Sequence, residues 1–166
     1  MSKIGIYYGS TTGNTQEVAE EIAKKLNVNK SDIHDVANAD ADFSAYDVVL
    51  FGSSTLGLGD LQDDWEYYVD KVKKADLNGK KVALFGCGDS SSYSDTFGDA
   101  LAKIYDEIKG KGCQLIGQVS TDGYTYDSSE AVVDGQFLGL LIDNDNESNL
   151  TDQRIAAWVE DLKKVI

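Results

Sequence analysis

Residues 4–26 read IGIYYGSTTGNTQEVAEEIAKKL, and this stretch decides the fold because a polar loop joins an apolar run to an amphipathic segment. We predict a strand over residues 3–8 and a helix over residues 14–26. One face of that helix is apolar at intervals of four residues, at Val18, Ile22 and Leu26.

The connecting loop, residues 9–15, has four hydroxyl side chains and two glycines but no Lys, Arg, Asp or Glu. At the start of a helix the first backbone N–H groups lack partners, and the helix dipole favours an anion there. The loop therefore predicts a phosphate held by uncharged donors, and it carries no group that would cleave one.

Further apolar runs alternate with helical patterns. We predict strands over residues 33–36, 47–52, 81–86 and 114–119, and helices over residues 61–72, 94–109 and from the N-cap Thr151 onward. Apolar strands separated by helices indicate a parallel sheet covered on both faces. Right-handed crossovers make this a doubly wound α/β fold, a three-layer sandwich.

The alternation breaks over residues 120–138, which are polar, contain glycines and tyrosines, and show no helical period. An apolar run resumes at residues 137–142. We expect one domain over residues 1–166, in which residues 120–138 interrupt the last strand.

The charge balance is strongly acidic, with 15 Lys and Arg against 29 Asp and Glu and a net charge of −14. This surface disfavours nucleic acid, which binds through Lys and Arg. It suits a basic protein partner, although acidity can also serve solubility alone. Cys87 and Cys113 are isolated, and we expect both to be reduced.

No apolar segment reaches membrane-spanning length, and the run after the N-terminus is too short for a signal peptide. We therefore expect a cytoplasmic protein that does not bind membranes, and the acidity favours a monomer. His34, the one histidine, is expected to be a surface or turn residue.

Ligands of doubly wound sheets bind beyond the carboxyl ends of the strands, where residues 9–15, 52–60 and 86–93 are predicted to meet. The first loop fits neither a nucleotide-hydrolysing P-loop nor a dinucleotide fingerprint, because its glycine spacing is wrong and Asn14 replaces Lys. It also lacks the acids of a phospho-acceptor domain. Glycines and leucines of the second loop, with Tyr93 of the third, suit a flat heterocycle that carries a phosphate.

Together these residues resemble the flavodoxin family, of the long-chain type. The resemblance spans the whole chain and includes STTGNT at 10–15, LGDLQDDWE at 58–66, FGCGD at 85–89, STDGY at 120–124, DNDN at 143–146 and LTDQRI at 150–155. It implies a five-stranded parallel sheet in the order 2-1-3-4-5, with FMN at the point where the winding reverses.

The resemblance also implies the roles of individual residues. The phosphate would be held by Ser10, Thr11, Thr12, Gly13, Asn14 and Thr15. One face of the flavin and its N5 edge would be lined by Ser54, Thr55, Leu56, Gly57, Leu58 and Gly59. Tyr93 would stack on the other face, Cys87, Gly88 and Asp89 would contact the pyrimidine edge, and Asp145 would lie near the ribityl chain. Many relatives have Trp where this chain has Leu56, so we expect weaker binding of oxidised FMN, unless Leu56 is an equivalent lid.

The implied function is a low-potential one-electron carrier that shuttles between the semiquinone and hydroquinone of FMN and serves basic redox enzymes. Gly57 would let the following peptide turn toward the flavin, although it could instead only shape a turn. No catalytic residue and no metal site are implied. Two alternatives remain: a flavin-dependent quinone or nitro reductase, and a colourless signalling module.

Overall fold

The computed structural model describes residues 2–56 and 58–166. The role expected of Gly57 therefore falls on a residue outside the described part of the chain. The described strands are β1 (Ile4–Gly9), β2 (Ile33–Asp35), β3 (Val48–Ser53), β4 (Thr55–Leu56), β5 (Asp60–Leu61), β6 (Lys81–Cys87), β7 (Gln114–Ile116), β8 (Val119–Ser120), β9 (Val132–Val133), β10 (Gln136–Phe137) and β11 (Leu140–Ile142). The helices are α1 (Asn14–Leu26), α2 (Asp63–Lys74), α3 (Asp99–Ile108), α4 (Asn144–Glu147) and α5 (Thr151–Lys163).

The main sheet is parallel, in the order β2-β1-β3-β6, with β11 and β7 both paired to the outer side of β6. This confirms the predicted doubly wound order. The fifth position is filled by two short strands: β7 pairs with the first half of β6 and β11 with its end. Between them, β8, β10 and β9 form a small antiparallel sheet.

The sheet is covered on both faces because successive strand side chains point to opposite sides. Val48 and Leu50 belong to the apolar layer under α1 and α5, whereas Val49 and Phe51 belong to the layer under α2 and α3. This double burial explains why the strands read as unbroken apolar runs. No helix in residues 2–56 and 58–166 combines the length and apolar character needed to cross a membrane.

Several predicted helix boundaries are wrong because side-chain and backbone contacts decide them. Helix α2 begins at Asp63 and not at residue 61, since Gln62 takes the N-cap position and its side chain accepts a hydrogen bond from the Asp64 N–H. Helix α3 begins only at Asp99, because Gly98 before it has a φ of 70°. A separate 3₁₀ turn covers Ser94–Thr96.

Thr151 was predicted to be the N-cap of the last helix, and this is wrong. Helix α5 starts at Thr151, and the N-cap position belongs to Leu150, which already has a right-handed helical backbone. The Thr151 Oγ1 donates instead to Asn144 Oδ1 at 2.5 Å. The side chain is therefore used to join α5 to the preceding loop.

The predicted strand over residues 114–119 is divided. Strand β7 ends at Ile116, because Gly117 has a φ of 79°, outside the extended region. Val119 begins β8 of the small sheet.

Candidate functional site

Three loops meet beyond the carboxyl ends of β1, β3 and β6 and enclose a cleft of about 360 Å³. Its lining comes from all three loops and from α4: Thr11, Thr12, Asn14, Ser54, Thr55, Leu56, Cys87, Gly88, Asp89, Tyr93 and Asp145. Every one of these residues is among those expected from the sequence to contact a cofactor. The fold thus brings together residues that lie more than a hundred positions apart.

The other expected site residues that the structure describes, Ser10, Gly13, Thr15, Leu58 and Gly59, are not among those that line the cleft. Ser10 Oγ accepts a hydrogen bond from the Gly13 N–H at 3.1 Å, which shapes the first loop. Gly13 itself has a φ of 97°, a conformation that requires glycine at this turn. Gly59 faces Asp99, and Leu58 at the tip of the β4–β5 hairpin is 85% exposed.

The first loop has donors without partners. Within the described residues, the backbone N–H groups of Thr11, Thr12, Asn14 and Thr15 donate to no protein acceptor. Thr15 is 1% exposed, and its Oγ1 makes no hydrogen bond to any described residue. A buried hydroxyl without a partner is costly, so this loop is suited to a ligand that supplies acceptors.

A buried glutamine that sequence reasoning missed ties the first loop to the second. Gln62 is 1% exposed, and its Nε2 donates to Thr11 Oγ1 at 3.1 Å. Its backbone N–H donates to Ser53 Oγ at 3.2 Å. Gln62 stands in the quoted motif at 58–66, but a long-range side-chain contact leaves no periodic signal in the sequence.

The second loop is held against α3. Thr55 Oγ1 accepts a hydrogen bond from the Ala100 N–H at 3.1 Å, in the first turn of that helix. The β4–β5 hairpin pairs Thr55 with Leu61 and Leu56 with Asp60. This places the half-buried Leu56 on one wall of the cleft as an apolar surface.

The third loop is organised by two carboxylates. Asp89 accepts hydrogen bonds from the N–H groups of Ser91 and Ser92 and from Asn146 Nδ2, and these hold its pKa below the usual value. Asp143 is buried and accepts from Ser90 and from the same Asn146 amide. The loop that carries Asp145 is thereby joined to the loop that carries Tyr93, which is 43% exposed.

Cys87 lies at the floor of the cleft. Burial raises the pKa of its thiol to about 12, and the nearby Thr15 hydroxyl only partly opposes the rise. The thiol is therefore neutral at physiological pH and does not act as a nucleophile. Within the described residues, no group of three or more His, Cys, Asp or Glu is placed to hold a metal ion.

His34 is placed differently from expectation. It lies in β2, half-buried, with its ring stacked on Tyr7 at a centroid distance of 4.5 Å. Its Nε2 lies 2.8 Å from Tyr46 Oη, and that hydroxyl donates to Asp32 at 2.9 Å. His34 is thus a packed structural residue away from the cleft.

Comparison with known proteins gives a consistent result. The family model described as Flavodoxin matches residues 6–158. The chain is 42% identical to a flavodoxin of Synechocystis, with 100% of this chain and 99% of that protein covered, and 43% identical to flavodoxin 1 of Azotobacter vinelandii, with 99% and 97% covered.

Solved structures agree with the sequence relatives. A Fusobacterium nucleatum flavodoxin bound to flavin mononucleotide is 31% identical and superposes with a TM-score of 0.91, covering 99% of this chain and 98% of that one. An oxidised flavodoxin 1 of Bacillus cereus is 25% identical, with a TM-score of 0.72 and 99% and 100% covered.

Proposed function

Because this chain belongs to the flavodoxin family, we propose that its three-loop cleft binds FMN and makes it a low-potential one-electron donor. Members of this family are electron-transfer proteins, and the chain is an FMN-based electron carrier without substrate turnover of its own. The observation that carries the assignment of the site is the row of free N–H groups at the start of α1, beside the buried Thr15 hydroxyl, which makes no hydrogen bond of ordinary geometry although it lies near the weakly polar Cys87 thiol.

In this proposal each loop holds one part of the cofactor. The N–H groups and hydroxyls of residues 10–15 bind the phosphate as uncharged donors. Leu56 and Tyr93 cover the two ring faces, and Tyr93 adds about 0.5–1.5 kcal/mol beyond its buried area through stacking. Cys87, Gly88 and Asp89 lie at the pyrimidine edge, and Asp145 lies near the ribityl chain.

Bound FMN accepts and donates single electrons, and the protein sets how readily it does so. Asp89 and Asp145 line the cleft, and hydrogen bonds keep Asp89 ionised. Two like charges a few ångströms apart repel by ~4 kcal/mol at an effective dielectric constant of ~20. A penalty of ~2–3 kcal/mol on added negative charge lowers the reduction potential for the second electron taken up by FMN by roughly 100 mV.

The surface beside the cleft suits a basic redox protein. Asp63, Glu66 and Asp95 are exposed there, and Leu58 and Tyr67 are large apolar side chains that are 85% and 80% exposed. Charged groups around an apolar centre favour fast and weak association. Two neighbouring acids contribute less to this surface: Asp99 is buried, and Asp60 is paired with Lys103 at 3.4 Å.

The remaining assignments belong to the same proposal. We infer one FMN-binding domain over residues 1–166, with an insertion at 120–138, that works as a cytoplasmic monomer. Both cysteines are free, which fits a reducing compartment. The high net negative charge opposes self-association.

The test of this function is the colour of the freshly purified protein. A yellow absorbance spectrum is expected, with FMN released on denaturation, and the apo-protein should bind added FMN tightly. Oxidation of NADPH by the pure protein would favour a reductase. A colourless preparation that takes up no FMN would contradict the proposal and favour a signalling module.

A further inference from the structure

Part of the insertion lies along the segment that directly follows Tyr93. The backbone N–H groups of Asp127 and Ser128 both donate to the Ser94 carbonyl at 2.9 Å. In return, Ser94 Oγ donates to Asp127 Oδ2 at 2.8 Å. Ser94, the residue after Tyr93, is therefore held by three hydrogen bonds with the insertion, two accepted and one donated.

The pairing continues toward α3. The Phe97 N–H donates to the Ser128 carbonyl at 3.3 Å, and Ser129 Oγ donates to the Phe97 carbonyl. The Glu130 N–H donates to Asp99 Oδ1 at 2.8 Å, and this carboxylate is 5% exposed in the first turn of α3. Residues 127–130 thus bind the connection between the third loop and its helix along its length.

Aromatic side chains also connect the insertion to the cleft wall, through Phe97. Phe97 is 1% exposed and stacks on Tyr126 of the insertion, with ring centroids 5.7 Å apart and planes 23° apart. Phe137 packs edge-on against the Phe97 ring, with ring centroids 5.9 Å apart. On its other side the Phe97 ring is so near Gly88 that a Cβ there would approach it to 3.0 Å. The insertion therefore packs Phe97 against a wall of the cleft.

We propose that residues 127–130 position the third loop for its ligand, and that Asp127 and Ser129 are positioning residues for Tyr93 and Gly88. The inference rests on the proposed FMN site. Asp127 and Ser129 lie outside the residues that line the cleft and act through Ser94 and Phe97. The insertion then has a task beyond covering the sheet edge, because it reduces the freedom of the loop that must meet the flavin ring.

The experiment compares the double variant Asp127→Ala/Ser129→Ala with the wild-type protein. We expect the FMN dissociation constant of the apo-protein to rise roughly fivefold, since hydrogen bonds that order the loop are lost. Amide hydrogen exchange over residues 88–97 should become faster, whereas exchange in β1 and α1 should not change. The midpoint potentials of bound FMN should move toward those of free FMN.

Four further variants complete the test. Asp127→Asn keeps an acceptor for Ser94 and Ser129→Thr keeps a donor for Phe97, so both should remain close to wild type. Asp134→Asn removes the same charge from the exposed turn between β9 and β10, where Asn tolerates the φ of 54°. Asp127→Ala alone alters one exposed side chain and serves if the double variant is unstable.

The proposal is overturned if FMN affinity, or exchange over residues 88–97, is the same in the alanine variants as in the wild type. A fall in global stability alone would not support it. If the wild-type apo-protein binds no FMN, the proposed function fails, but the exchange experiment on the apo-protein still tests the support of the third loop.

Discussion

Gln62 Nε2 donates a hydrogen bond to Thr11 Oγ1 at 3.1 Å, and this contact joins the start of α2 to the loop between β1 and α1. The same side chain caps α2, because its Oε1 accepts from the Asp64 N–H at 3.0 Å. One buried amide therefore fixes a helix terminus and orients a cleft hydroxyl. The position of Thr11 depends on a residue that does not itself line the cleft.

Replacing Gln62 by Leu keeps the volume but removes both contacts. We expect the free energy of unfolding of the apo-protein to fall by about 1–2 kcal/mol, the usual cost of a lost helix cap. FMN affinity should fall as well, because Thr11 loses its donor. Urea denaturation and FMN titration measure the two effects, and unchanged stability would show that the amide contributes nothing as a cap.

Thr15→Val separates stability from binding. The substitution keeps the side-chain shape and removes a buried hydroxyl without a partner, so apo-protein stability should be unchanged or higher by up to ~1 kcal/mol. FMN should bind roughly tenfold more weakly, because one donor to the phosphate is lost. Riboflavin lacks the phosphate and should bind both proteins equally. An equal loss for riboflavin and FMN would place Thr15 elsewhere in the site.

Leu56→Trp should strengthen FMN binding. Leu56 lines the cleft, and an aromatic ring there adds about 0.5–1.5 kcal/mol through stacking, which corresponds to up to roughly tenfold in affinity. Leu58→Trp is the matched control, because Leu58 lies outside the lining and is 85% exposed. Fluorescence titration of the three apo-proteins decides the matter, and equal or weaker binding by Leu56→Trp would count against an aromatic lid.

The pKa of His34 should lie below the ordinary value for histidine. Burial lowers its pKa from 6.5, while Asp32 and Asp40 oppose the shift. As the pH falls through 6.5, the unfolded chain takes up this proton before the folded protein does, so stability should decrease. Because the chain has one histidine, its proton NMR resonance gives the midpoint directly. In His34→Gln the pH dependence of stability should be flatter near pH 6, and a midpoint above 6.5 would reverse the assignment.

Electron transfer to a basic redox protein should slow as salt is added, because screening weakens attraction between exposed charges. Glu66→Gln should lower the association rate at low salt. Glu160→Gln on α5 is also exposed but lies in a helix that packs on the other face of the sheet, so it should have little effect. Stopped-flow kinetics over a salt series tests this, and a rate that does not change with salt would contradict the role given to the exposed Asp63, Glu66 and Asp95.

The sequence predicted the features that depend on periodicity and local chemistry. Helix α1 has its predicted bounds. Strands β1 and β3 are each shifted by one residue and β6 is one residue longer than predicted, because continuous apolar runs leave no other way to bury these segments. The meeting of the three loops at the cleft was also predictable, since it follows from where the loops must lie in a doubly wound sheet. Asp145, which lines the cleft from α4, was expected only from the resemblance to flavodoxins.

What could not be predicted depends on contacts between distant residues. The Thr151 hydroxyl donates a hydrogen bond to Asn144 and does not cap the N–H groups of its own helix. A charged side chain is rarely buried, yet the Glu130 N–H and the close backbone of Gly59 enclose Asp99. The support that residues 127–130 give to Ser94 has no local pattern, because each partner lies about thirty residues from the other.

The pairing of β7 and β11 with β6 shows how the chain could be shortened at the edge of the sheet. Paired residues differ in number by 33 along β7, from Lys81 to Gln114, and by 55 along β11, from Phe85 to Leu140. The two differences are themselves 22 apart, so removing 22 residues between β7 and β11 would let one uninterrupted strand pair along the whole of β6 in a single register. The chain therefore leaves the sheet and returns to it on the same side of β6, so the insertion does not change the order of the main sheet.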